Sequence, residues 1–322
     1  MNEFSSVFAP KLEGMLEYRT ARGYKRETYL PFLIRFDKYC QGQYPDVTEI
    51  PALTAAIVHG WFDSETETAT HSVSMKATAI REFGKYLCAI GEVAYVLPGK
   101  FWPSKKPKPP YIFTDDELAT LFAAIDSLPP SAKEPYLAEM APVLFRLTYT
   151  CGLRPNESRE LKSENINLDN GEVLITNTKH NKERIIVMSD DMLALCREYD
   201  LRRHIFDRSG SPYFFPSSNG GALTNSVVYT AFNRAWRAAT HLKGKRTVRV
   251  YDLRHRFASA CLIRWLDDGE NLMAMLPYLR TYMGHAKLDE TAYYIHILPE
   301  NLVTSPAIDW DAFNAMFPEV VE

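Results

Sequence analysis

Seventeen residues, Leu97 to Phe113, hold five prolines (Pro98, Pro103, Pro107, Pro109, Pro110), four lysines (Lys100, Lys105, Lys106, Lys108) and no acid. Each proline lacks a backbone N–H and has a fixed φ, so this stretch can be neither the interior of a helix nor a central strand. It is expected to be an extended linker, and a chain of 322 residues is long enough for a domain on each side. The lysines, with Lys105 and Lys106 at their centre, either follow a phosphate backbone or solvate a plain linker; composition allows both.

Residues 4–90 read as all-helical, within an N-terminal domain over 1–96. Phe8, Leu12, Met15 and Leu16 form one stripe, and Tyr29, Leu33, Phe36 and Cys40 form a second, with Thr28 as N-cap and Pro31 in the first turn. A third helix is expected over 54–65 and a fourth over 72–90, the latter carrying Lys76, Arg81 and Lys85. This predicts a small helical bundle. Its basic residues either read DNA or are surface charge. After the linker (97–113), Thr114 and Glu117 form a capping box that opens a second domain over 114–298. Helices are expected over 115–126 and 136–151. Two β-branched runs, 172–176 and 184–188, flank the polar turn NTKHNKE and predict a hairpin with its tip near His180 and Asn181. Further helices are expected over 190–206, 224–240, 252–267, 271–283 and 288–296. The fold class is mainly α with a small β-sheet. In the tail, 299–322, Trp310, Phe313, Met316 and Phe317 fall at helical spacing, as in a helix packing on its own domain.

Composition narrows the setting. Hydrophobic residues make up 46% and charged residues 24%, which fits a soluble globular chain. No apolar run reaches the roughly 18 residues of a membrane span, and no secretion signal is expected. The five cysteines are scattered without a CxxC pair, which points to reduced thiols in the cytoplasm. The formal charge is −3, yet Arg234 to Arg256, including Lys243, Lys245 and Arg246, carries eight basic residues against Asp252, while 300–322 carries five acids and no Lys or Arg. An acidic total can thus hide a basic face of the kind that meets nucleic acid, or the basic run is solvated charge on helices.

Cleaving a DNA strand with a side chain requires a weakly acidic nucleophile, fixed cations on the non-bridging oxygens of the transition state, and a proton donor for the leaving oxygen. Arginine suits the second task because its fork is always charged and pairs bidentately with phosphate. Lysine suits the third, and no step demands a metal or a cofactor. Arg154 in TCGLRPNES, Lys179 in NTKHNKER, Arg254 in YDLRHRF, His285 in MGHAKLDET and Tyr294 in AYYIHI form such a set if the fold gathers them. Glu157, three residues after Arg154, can orient its guanidinium. Arg254 is expected at the edge of the core, beside the stripe of Leu253, Phe257 and Cys261.

These segments, in this order, resemble the boxes of the tyrosine recombinases of the phage-integrase family. TCGLRPNESRELK resembles the first arginine box, ITNTKHNKERIIVM the β-hairpin lysine segment, YDLRHRFASACL the second arginine box, and MGHAKLDETAYYIHI the third. The resemblance implies an N-terminal core-binding domain and a C-terminal catalytic domain. It implies that Tyr294 attacks the phosphate to give a 3′-phosphotyrosyl link, Arg154 and Arg254 clamp the oxygens, Lys179 protonates the leaving oxygen, and His285 hydrogen-bonds the phosphate. Two exchanges through a Holliday junction then recombine two duplexes. Implied partners are double-stranded DNA with a specific recombination site, further copies of the chain (a tetramer in the synaptic complex, with the 299–322 tail helix donated to a neighbouring protomer as the alternative to packing on its own domain) and accessory DNA-bending proteins, with no membrane. Integration or transposition of a mobile element is the expected role. Counting from His285 favours Tyr294 over Tyr293 and Tyr282, and the hairpin box favours Lys179 over Lys182. One departure stands out: the second box usually begins with His, and here it is Tyr251. A phenol with a pKa near 10 is a poor base at neutral pH, so slower cleavage is expected, with Tyr251→His preserving or raising the rate. The alternative is a catalytically weakened DNA-binding protein on the same fold.

Overall fold

A computed structural model describes residues 4–45, 52–64, 70–99, 101, 109–131, 133–176, 183–207, 210–239 and 248–295. The chain divides into two units, Met1–Lys108 and Pro109–Glu322. The first is built on α1 (Ala9–Ala21), α2 (Leu30–Gln43), α3 (Ala55–Ser64) and α4 (Thr70–Ala89). One ring from each helix or its cap meets at the centre: Phe36 lies 5.8 Å from Phe8, 5.2 Å from Trp61 and 6.1 Å from Phe83, centroid to centroid. Such tilted and edge-on aromatic pairs add to the gain from burial. Buried Asp37 accepts from the backbone N–H groups of Ser5 and Ser6 at 2.7 and 3.0 Å, which ties the segment before α1 to α2. Thr28 is not the N-cap of α2. It ends a short 3₁₀ turn, and the helix starts after Tyr29 with no side-chain cap, Pro31 filling an early position that needs no N–H.

The described ends of the proline-rich stretch are packed. Leu97 is buried in the first unit, while Phe113 belongs to the core of the second with Tyr111 against it. Thr114 and Glu117 form the expected reciprocal capping box at 3.2 and 3.0 Å, starting α5 (Asp115–Asp126). Next come α6 (Leu137–Thr150), α7 (Pro155–Arg159), β1 (Glu172–Ile175), β2 (Arg184–Val187), α8 (Asp190–Phe206), α9 (Asn225–Ala238), α10 (Tyr251–Asp267), α11 (Leu272–Met283) and α12 (Asp289–Ala292). The hairpin is antiparallel, pairing Glu172 with Val187 through Ile175 with Arg184. Period-two alternation buries Val173, Ile175 and Ile186 in the core and leaves Ile185 and Val187 exposed. The last helix is shorter than its spacing predicts: α12 ends at Ala292, so Tyr294 stands in the turn beyond it. No described helix is long and apolar enough to cross a membrane.

Candidate active site

The site is built on two helix ends of the same design. At the end of α6, Leu153 N–H bonds Thr148 O and Gly152 N–H bonds Tyr149 O; at the end of α11, His285 N–H bonds Arg280 O and Gly284 N–H bonds Thr281 O. Both are Schellman motifs, and each needs a left-handed residue, supplied by Gly152 (φ 58°) and Gly284 (φ 64°). Both are also tightly enclosed: a Cβ on Gly152 would lie 2.3 Å from the Phe257 ring, and one on Gly284 3.1 Å from the Arg184 guanidinium. The two motifs aim carbonyl oxygens at the same space. Those oxygens carry the negative end of each helix dipole and so attract cations.

Three guanidinium groups occupy that space. Arg254, wholly buried on α10, donates to Gly152 O and Met283 O, both at 2.6 Å, while its Nε has no hydrogen-bond partner among the described residues. This differs from the expected place at the core edge: the side chain crosses inward to join two helix ends. Arg154 caps α7 and donates to Gly284 O at 2.9 Å and to Glu157 at 2.7 Å. Arg184, on β2, donates to Tyr282 O at 2.8 Å and to both oxygens of Glu157 at 3.1 and 2.8 Å. Glu157 also accepts the Arg154 backbone N–H at 2.9 Å, because the third helical position reaches back to the cap. Burial alone would raise the Glu157 pKa, but the bonds and charges of Arg184 and Arg154 hold it at about 2. One ionised carboxylate therefore faces three cations, with Arg254 3.9 Å from it. Among the described residues the cluster keeps two unmatched positive charges, a natural complement for an anion.

His285 and Tyr294 complete the group. His285 Nδ1 lies 2.7 Å from Thr291 Oγ1, and its ring stacks on that of Tyr294, with centroids 6.2 Å apart and planes 15° apart. Burial, then the charges of Arg254, Arg154 and Arg184, push the His285 pKa down to about 3. Tyr294 is 2% exposed, and its Oη lies 3.2 Å from His255 Nδ1. Burial raises its pKa, with Arg254 and Arg154 partly opposing that rise. Tyr293 is half-exposed and meets only the edge of the Tyr294 ring; Tyr282 stacks on Phe257. Tyr251 begins α10 and packs edge-on against His255 at 5.0 Å.

The structure thus brings together Arg154, Glu157, Tyr251, Arg254, His285 and Tyr294. Lys179, and with it Lys182, lies outside the described residues, as do Lys105, Lys106, Lys243, Lys245 and Arg246. In the first unit the expected basic face is not where the sequence reading put it. Lys76 is buried, its Nζ 4.2 and 4.5 Å from the Trp61 and Phe62 ring centroids and 3.2 Å from Trp61 O. Aromatic faces and a carbonyl satisfy an ammonium there, so Lys76 is not a surface contact. Arg81 turns its guanidinium onto the carbonyls of Leu97 and Pro98 at 2.7 and 2.8 Å. Lys85 stays exposed, paired with Glu82 at 3.0 Å. Sequence reasoning missed Arg184 and His255. Arg184 follows the lysine turn in KER, where β1 and β2 alternation marks the strand but not its partner. His255 adjoins Arg254, one helical turn after Tyr251.

The chain matches the model of the Phage integrase family over residues 112–301. It is 30% identical to the putative integrase/recombinase y4rE of Sinorhizobium fredii, over 92% of this chain and 93% of that one. It is 27% identical to the tyrosine recombinase XerC of Oceanobacillus iheyensis, over 74% of each. Among solved structures, the XerH site-specific recombinase in its post-cleavage complex with a palindromic difH substrate aligns with a TM-score of 0.61 at 20% identity, over 89% of this chain and 80% of that one. A lambda integrase (75–356) dimer bound to a COC′ core site aligns with a TM-score of 0.58 at 18% identity, over 88% and 94%. At these identities the two structures speak for the fold.

Proposed function

The chain belongs to the phage integrase family, and on that premise we propose that it is a site-specific DNA recombinase of the tyrosine type. The observation that carries this reading is the cluster of Arg154, Arg184 and Arg254 around the single carboxylate of Glu157, beside a buried tyrosine. Two unmatched positive charges in a largely enclosed site are suited to a phosphodiester whose negative charge grows in the transition state. On this reading Arg154 and Arg254 hold the non-bridging oxygens. His285, neutral at pH 7, has one ring proton. Placed on Nε2, it donates to the phosphate while Nδ1 accepts from the Thr291 hydroxyl. Tyr294 Oη attacks phosphorus, giving a 3′-phosphotyrosyl link, and Lys179 protonates the departing 5′-oxygen. A 5′-hydroxyl from a second duplex reverses the step, and two such exchanges pass through a Holliday junction.

Because Tyr294 is 2% exposed, DNA must displace what covers it before the phenol can reach phosphorus, so the resting protein is held from cutting. Relatives described as integrases and Xer recombinases, and neighbours solved as dimers and tetramers on DNA, support action in the cytoplasm as a homo-oligomer on paired recombination sites, in the integration or movement of a DNA element. The test is covalent trapping. The full chain is incubated with nicked duplexes tiled from the DNA flanking its own coding region, then denatured and resolved on a gel. The expected result is a protein–DNA adduct at one sequence, lost in Tyr294→Phe. No adduct on any flanking duplex, or one that survives the substitution, overturns the reading.

A further inference from the structure

The departure at Tyr251 raises the question of which group takes the phenolic proton of the nucleophile. α10 places residues 251 and 255 on one face, a single turn apart. The imidazole of His255 meets Tyr251 edge-on at 5.0 Å and also meets Tyr294, ring centroids 5.5 Å apart. Its Nδ1 lies 3.2 Å from Tyr294 Oη, within hydrogen-bond reach. Among the described residues the other proton acceptors nearby are engaged. Asp252 accepts from Arg249 N and Nη2, both at 2.7 Å, and from Tyr111 N at 3.3 Å. Glu157 is taken by Arg154 and Arg184. His285 turns Nδ1 to Thr291 and lies parallel to the Tyr294 ring.

We propose that His255 is a catalytic residue of this recombinase, the base that accepts the Tyr294 proton, one helical turn beyond the position that departs from the family pattern. The proposal rests on the recombinase reading above. Burial, then Arg249 and Arg254 against the opposing pull of Asp252, keep the imidazole neutral at pH 7, with a pKa near 4, so a lone pair is present on one ring nitrogen. With the ring proton on Nε2, that lone pair is on Nδ1 and faces Oη. In the forward step the Oη–H bond breaks, its proton passes to Nδ1, the Oη–P bond forms and the P–O5′ bond breaks, with Lys179 protonating O5′. His255 is left as imidazolium. In the reverse step an incoming 5′-hydroxyl gives its proton to Lys179 as it attacks, and the imidazolium returns its proton to Oη. The role of Tyr251 is then to pack His255 in place, and the departure at that position does not mark a decayed enzyme.

Three measurements on the full chain decide the matter. His255→Gln keeps a hydrogen-bonding side chain that cannot take up a proton. It is expected to slow single-turnover adduct formation on the trapped duplex about 100-fold, the low end of what a general base contributes, with DNA affinity and melting temperature unchanged. A duplex with sulfur in place of the bridging 5′-oxygen has a leaving group that needs no proton. It should rescue Lys179→Met and leave His255→Gln slow. Third, ¹⁵N NMR of histidine-labelled protein without DNA should show His255 Nδ1 unprotonated, with its shift changed by Tyr294→Phe. A His255→Gln protein that cleaves at the wild-type rate, rescue of that variant by sulfur, or a proton resident on Nδ1 each overturns the proposal. If the wild-type chain forms no adduct, the recombinase reading falls instead, and the NMR result still decides whether His255 accepts from Tyr294.

Discussion

Each unit of this protein buries a cation, and the two are treated differently. Lys76, in the first unit, is enclosed by two aromatic faces and a carbonyl. Its ammonium is solvated inside the bundle by groups that carry no net charge. Arg254, in the second, is held by Gly152 O and Met283 O and retains an Nε without a partner among the described residues, with two further guanidinium groups gathered on one carboxylate nearby. Its environment gathers further cations beside it. A buried cation therefore signals structure when neutral groups solvate it alone, and function when the fold sets other cations around it.

The largest test of that contrast is Arg254→Lys. A lysine cannot bridge both helix ends, and cleavage should fall about 10²–10³-fold on the adduct gel, as when one preorganised donor is lost from a transition-state site. Lys76→Met, its counterpart, should leave the adduct rate unchanged; a comparable loss would erase the distinction. Next is Gly152→Ala. Its Cβ would press into the Phe257 ring at 2.3 Å, at a left-handed backbone, and the cost should be several kcal/mol, read from the denaturant midpoint. Third, Glu157→Gln removes the carboxylate that the arginines share. The Glu157 pKa falls from 4.5 in the open chain to about 2 in the fold. The stabilisation is thus full above pH 4.5 and lost as pH falls towards 2. Its size is roughly 3 kcal/mol at neutral pH. Wild type and variant should differ by up to that amount at pH 7 and converge towards pH 2. The smallest effect is on stability in Lys76→Met, expected within about 1 kcal/mol, since replacing a buried ion by an apolar chain of like shape is often neutral.

The same contrast explains what could be read from the sequence. Local signals were legible: the capping box of Thr114 and Glu117, the alternation of β1 and β2, and the glycine at the end of α11. Each depends on residues within a few positions of one another. The depth of Lys76 was not legible. Its place on α4 reads as a basic residue among apolar ones, and only the neighbouring α3 supplies the rings that make burial tolerable. Arg254 was expected at the core edge for a related reason: the oxygens that draw it inward lie 102 and 29 residues away. Arg184 and His255 went unread because a strand arginine and a helix histidine are ordinary until Glu157 and Tyr294 arrive beside them. Tyr294 is singled out by its distance from His285, although the helix expected to carry it ends two residues earlier.

The oxygens of Gly152, Met283 and Gly284 that anchor Arg154 and Arg254 belong to the main chain. No codon change deletes a main-chain oxygen. A lineage of such proteins can therefore vary the side chains of the residues that lend those oxygens while the anchors stay in place. Hereditary risk to the anchors themselves contracts to the two glycine codons, where a new side chain would bend the backbone that aims those oxygens. Met283 supplies its oxygen under any side chain that its pocket accepts.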